Sequence, residues 1–177
     1  MITCSRMLLL AAGFFAAHMS VAVENERSAS SAFQSLSGLV GNWQGKLPDG
    51  RTHRVNYRLS AGGSALVETW ALSAGRESIT IYHLDGDALL ADHYCVQGNQ
   101  PRLRWVNGDG NGFSFAFRDG VNLQVAGKSH QHAFWIALHG NDAFERSETY
   151  VENGAAPVEA TQAAPDAVVS YTRLDIP

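Results

Sequence analysis

The chain is poor in cysteine, proline, charge and long apolar runs, and each shortage removes a class of protein. There are two cysteines in 177 residues, Cys4 and Cys95. That rules out a disulfide scaffold and leaves the hydrophobic core to hold the fold. Charged residues make up 17%, too few for a disordered chain, while 45% apolar residues suffice for a core. Basic side chains number 13 against 17 acidic ones. A net charge of −4 argues against a nucleic-acid partner, which needs a clustered basic surface. The longest apolar run, Met7 to Ala17, is 11 residues and cannot span a bilayer. No Gly-x-Ser-x-Gly, phosphate-binding loop, His-Glu-x-x-His or dinucleotide-binding glycine pattern occurs. No internal repeat suggests a propeller. What remains is rich in glycine: 17 Gly against 5 Pro, with 10% aromatics, suits many short strands joined by tight turns.

Residues 1–22 read as a secretory signal peptide. Arg6 supplies a positive start, the apolar run follows, and Ser20-Val21-Ala22 offers a small-x-small cleavage site. Cleavage would remove Cys4, leaving Cys95 with no partner for an internal disulfide. The expected location is periplasmic or secreted, with no membrane span after cleavage. Residues 23–31 are polar and expected to be disordered, and residues 32–177 to form a single domain.

In Ala32 to Val40, Phe33, Leu36, Leu39 and Val40 recur at helical spacing and predict one short helix. From Gly41 the period switches to two. His53, Val55, Tyr57 and Leu59 alternate with Thr52, Arg54, Asn56 and Arg58, so the first set faces inward. Turns are predicted at Pro48-Asp49-Gly50, Ala61-Gly62-Gly63, Asp85-Gly86 and Gly98-Asn99-Gln100-Pro101. A strand with Phe113, Phe115 and Phe117 on one face ends at Asp119-Gly120, and Val121 to Ala126 reads as a further short strand. Gly154 to Ala167 reads as an exposed loop before a last strand. About ten strands with connections this short must be antiparallel neighbours. Closing the sheet best hides its edges, so the expectation is an all-β, antiparallel up-and-down barrel with one short N-terminal helix. A two-sheet sandwich is the alternative.

Leu39-Val40-Gly41-Asn42-Trp43-Gln44-Gly45 places a Gly-x-Trp just after the helix, at the start of the first strand. This resembles the lipocalin and fatty-acid-binding (calycin) superfamily, and more closely its bacterial lipocalin-like and nitrobindin-like barrels. Gly62 to Glu68, Ile81 to Asp87, His93-Tyr94-Cys95 and Gly98 to Arg102 are also similar to those barrels, so the likeness spans roughly Phe33 to Tyr150. Heme-binding members use a His on a late strand, with which His130 or His132 could be compared; heme is not carried over.

Ten strands enclose more space than inward side chains fill, so a cavity is expected without any special motif. Its expected lining is His53, Val55, Tyr57, Ile79, Ile81, His83, His93, Cys95, Phe113, Phe115, Phe117, His130, His132, Phe134 and Ile136. An apolar pocket with a few polar groups is the usual make-up of a small-molecule site. The leading expectation is therefore non-covalent binding of a small, largely apolar molecule, with the histidines orienting its polar end and no cofactor needed. Two readings compete. His93-x-Cys95 and His130-x-His132 each aim two ligand-type side chains one way and, if they converged, would suit a metal or heme. A filled barrel would instead act as a structural or interaction module. Arg102 and Arg104 share a face opposite Leu103 and Trp105 and are read as solvated; Glu145, Arg146 and Glu148 read as exposed charge, and Glu68 as weakly placed for chemistry.

Overall fold

The computed structural model describes residues 27–106, 111–154 and 165–174. The signal-like segment 1–22, residues 23–26 and most of the 154–167 loop lie outside the described residues.

Ten strands form one closed sheet: β1 (Gly41–Lys46), β2 (Thr52–Ser60), β3 (Ala65–Ala71), β4 (Glu77–Asp85), β5 (Ala88–Tyr94), β6 (Gln100–Trp105), β7 (Gly112–Val121), β8 (Ser129–His139), β9 (Ala143–Glu152) and β10 (Val169–Arg173). Each pairs antiparallel with its neighbours in sequence. The ring closes where β10 returns to β1, with Trp43 opposite Arg173 and Gly45 opposite Tyr171. The expected all-β up-and-down barrel is therefore present, and the sandwich is not.

The helix α1 (Ala29–Leu36) starts three residues earlier than the periodicity predicts. Ser28 caps it, its hydroxyl oxygen accepting the Ser31 amide at 3.1 Å. Residues 29–31 are thus helical rather than disordered. A short 3₁₀ turn over Ser37–Leu39 leads into β1, and Val40, read as part of the helix face, is exposed. The other boundary that differs is in β7. It runs through Asp119-Gly120 to pair Val121 with Gln100, so no separate strand begins at Val121.

The barrel has two unlike ends. One is closed. There α1 packs against β4 and β5 while Arg27, just before it, lies 4.3 Å over the Phe113 ring at the start of β7. Trp43 plugs the floor: its Nε1 donates to the Leu39 carbonyl at 2.7 Å and its ring meets the Phe144 edge at 5.0 Å. Gly41 enters the strand at φ +139°, a conformation that disfavours a side chain. Gly45 sits so near β10 that an added Cβ would lie 2.7 Å from the Ser170 carbonyl oxygen and 2.9 Å from the Tyr171 ring. Phe113, Phe115, Phe134, Ile136, Leu103 and Leu89 fill the closed half, with Phe115 and Phe134 stacked at 4.6 Å. The other end gathers the start of β2, the ends of β3, β5 and β9 and the beginnings of β4 and β8, and this half is not filled.

Candidate functional site

The site begins with an unexpected residue on β3. Its alternation puts Leu66, Glu68 and Trp70 inward, so a carboxylate enters the barrel core at 0% exposure. Burying it alone would cost many kilocalories; here five donors converge on it. Tyr57 and Tyr82 hydroxyls donate to Oε2 at 2.8 and 2.6 Å. Trp70 Nε1 and the Thr80 hydroxyl donate to Oε1 at 2.6 and 2.8 Å. Arg146 Nη1, from β9, donates to Oε2 at 3.0 Å. Arg146 is itself only 2% exposed and lies 4.2 Å from the Phe134 ring centre. Its Nε donates to Glu148 Oε1 at 2.8 Å, and Nη2 is buried and without a partner among the described residues.

Charge follows from this geometry. Burial pulls the Arg146 pKa down, but Glu68, Tyr82 and Glu148 outweigh it and push it well above the ordinary value. Burial pushes the Glu148 carboxyl up, yet Arg146 and its hydrogen bond hold the net pKa below the usual carboxylate range. Tyr57 and Tyr82 are driven well upward, by burial first and Glu68 second, so their hydroxyls stay protonated donors.

A second chain runs outward through His93. The Thr80 hydroxyl proton is committed to Glu68, so the Thr80 oxygen must accept from His93 Nδ1, 3.0 Å away. That fixes the tautomer: Nδ1 carries the hydrogen and Nε2 is a lone-pair acceptor. Burial holds the ring's pKa below its ordinary value, which keeps it neutral. Nε2, on the edge of the ring away from Thr80, is buried and without a partner among the described residues.

Two cavities open beside these groups. The larger, about 420 Å³, is bounded by Leu47, Arg51, His53, Arg146, Glu148 and Tyr171, among others. The smaller, about 160 Å³, is bounded by His53, Trp70, His93, Cys95, Glu148 and Tyr150, among others. His53 and Glu148 line both, so the two adjoin. His53 stacks on Trp70 at 4.6 Å and shares a 3.1 Å hydrogen bond with the Tyr171 hydroxyl; burial lowers its pKa too.

Of the predicted lining, His53, His93 and Cys95 take part. Burial raises the Cys95 thiol pKa, which favours the unreactive protonated form. Tyr57 faces inward but serves Glu68. Phe113, Phe115 and Phe134 are packed core at 0–2% exposure, Phe115 and Phe134 against each other and Tyr82, and bound neither of the two cavities. Ile81 and His83 belong to the outward face of β4, as does Ile79. The inward residues there are Ser78, Thr80 and Tyr82, paired with inward Trp70, Glu68 and Leu66. His83 lies 3.4 Å from Asp92 on that outer face. Phe117, His130 and His132 form their own stack, the Phe117 ring 4.9 Å from His130 and 5.3 Å from His132, with His130 held by Asn153 at 3.0 Å. Among the described residues no group of three or more His, Cys, Asp or Glu is placed to hold a metal ion, so the two doublets do not converge. Arg102 and Arg104 are solvated, as read. Arg146 and Glu148 are not exposed charge. The overlooked signal was the shared face: Glu68 alternates with Leu66 and Trp70, and Arg146 and Glu148 sit between Phe144 and Tyr150 at period two.

The chain matches no family model and no curated protein.

Proposed function

We propose that the protein is a small-molecule-binding barrel whose ligand enters the open end, lays an apolar body along Leu47, Val169 and Tyr171, and is oriented by His53, Arg146 and Glu148. The observation that carries this reading is the division of the interior. One half is packed to the floor, while the other keeps a cavity of about 420 Å³ beside a rigid, fully buried Glu68–Arg146 pair. That volume lies within the range of small-molecule sites, and a few convergent polar groups in an apolar wall are their usual make-up. The Arg146 Nη2 donor and the His93 Nε2 acceptor, buried and without a partner among the described residues, are two polar contacts for a ligand at the cavity walls. The reading also keeps the location expected from residues 1–22: export, with binding outside the cytoplasm. A resemblance to calycin barrels fits it as well.

The test is a thermal-shift and tryptophan-fluorescence screen of small apolar molecules carrying one polar group. Trp70 stacks on His53 at the cavity wall, so occupancy should change its emission. Ligands that raise Tm and quench Trp70 in the wild type, but not in Val169→Trp, support the site. Ligands whose effect survives that cavity-filling substitution, or no ligand at all, contradict it.

A further inference from the structure

The charges around the two cavities narrow the ligand further. The residues bounding the two cavities, taken with Glu68 beneath them, carry Asp49, Glu68, Glu148 and Asp166 against Arg51 and Arg146. Four carboxylates face two guanidinium groups. Arg51 is turned to Asp49 at 2.6 Å, and Arg146 serves both Glu68 and Glu148. One deeply buried cation therefore answers two acids, and the histidines at the site add no positive charge. Glu148 is the member of that trio that reaches both cavities.

The smaller cavity points the same way by an independent route. His93 is 3% exposed, its Nδ1 is tied to Thr80, and Nε2 is a buried acceptor with no partner among the described residues. An acceptor cannot satisfy an acceptor, so this edge of the ring calls for an N–H or O–H group. The walls around Glu148 and His93 include Trp70, Tyr150 and Tyr171, aromatic side chains whose ring faces attract a cation.

Resting on the binding reading above, we propose that the ligand is an amine, its protonated nitrogen placed between Glu148 and the His93 Nε2 acceptor and its apolar part in the larger cavity. The ammonium group supplies the missing positive charge and the missing donors at once. Arg146 Nη2 remains available to an oxygen elsewhere on the same molecule. A carboxylate ligand would instead bring a further anion to an Arg146 already shared by two acids.

Three probes of nearly one shape test this on the full chain: benzylamine, benzyl alcohol and benzoate, titrated by calorimetry at neutral pH. The amine should bind about ten-fold or more tighter than the alcohol, the scale of a charge-assisted hydrogen bond, and benzoate weakest. Glu148→Gln keeps an oxygen for Arg146 Nε and should erase the amine's advantage over benzyl alcohol. Should that variant fail to fold, His93→Phe, which keeps a ring in the cavity, should reduce the amine's advantage, because the ammonium loses one of its two acceptors while the alcohol's single O–H still has Glu148. Binding of the alcohol or benzoate with no preference for the amine, or a preference that survives both substitutions, overturns the amine assignment and leaves the binding reading standing. No binding by any of the three overturns both.

Discussion

Glu68 and Arg146 set the energetics of the barrel interior. Both are buried; without Arg146, Glu68 would be an uncompensated charge, whereas Arg146 without Glu68 would keep Glu148. Arg146→Met should destabilise the fold by about 3–5 kcal/mol, because Glu68 loses its counter-charge while four neutral donors remain. Glu68→Gln/Arg146→Met should cost clearly less than the two single changes summed, since the double variant leaves no buried charge at this pair. Urea unfolding of the four proteins measures both. Equal and additive losses would show that the pair is not coupled. His83 is the contrasting residue. It stands on the outer face with a partly solvated Asp92, so His83→Ala should change stability by no more than about 0.5 kcal/mol and leave ligand titrations unchanged.

At the scale of elements, β1 closes the barrel, and its glycines are read best as fit to β10. Gly45→Ala would press a methyl into the Ser170 carbonyl and the Tyr171 ring. Backbone cannot yield as a flexible side chain does, so a loss of about 1–3 kcal/mol is expected, seen as a lower urea midpoint with little change in m. A neutral result would mean that the β1–β10 seam is looser than the register implies. The strand order and the closure were legible from period-two patterning and short connections. The inward face of β4 was not. Ile79 and Ile81 look like core residues beside Ser78 and Thr80, yet the polar set faces in because Thr80 and Tyr82 serve Glu68. β9 fails for the same reason: a rule that sends charge outward holds until two opposite charges on distant strands meet. Strand alternation reports which residues share a face; it does not report that Glu68 and Arg146, 78 positions apart, are partners. The Phe113, Phe115, Phe134 face was read correctly as inward, but lies in the packed half rather than around the cavities.

For the whole molecule, the neutral buried histidines give stability a pH dependence of definite sign. His53 and His93 have folded pKa values below the ordinary 6.5, so the unfolded chain binds protons first as pH falls. Their contribution is present in full above about 6.5 and is lost as pH drops through the folded values. Unfolding free energy should therefore fall between pH 7.5 and 5, and the fall should be shallower in His93→Phe. An identical slope in that variant would show that His93 is not held neutral. The molecule is thus a barrel with a rigid, solid floor and a partly hollow, polar mouth, and the account of function depends on that mouth taking a guest.

Native mass spectrometry of the protein purified from its own source is the most direct measurement of that claim. A species heavier than the polypeptide by the mass of one small molecule, converted to the bare chain on denaturation and absent in Val169→Trp, is the predicted result. A bare polypeptide mass under native conditions, or an adduct that the Trp substitution does not displace, would contradict it.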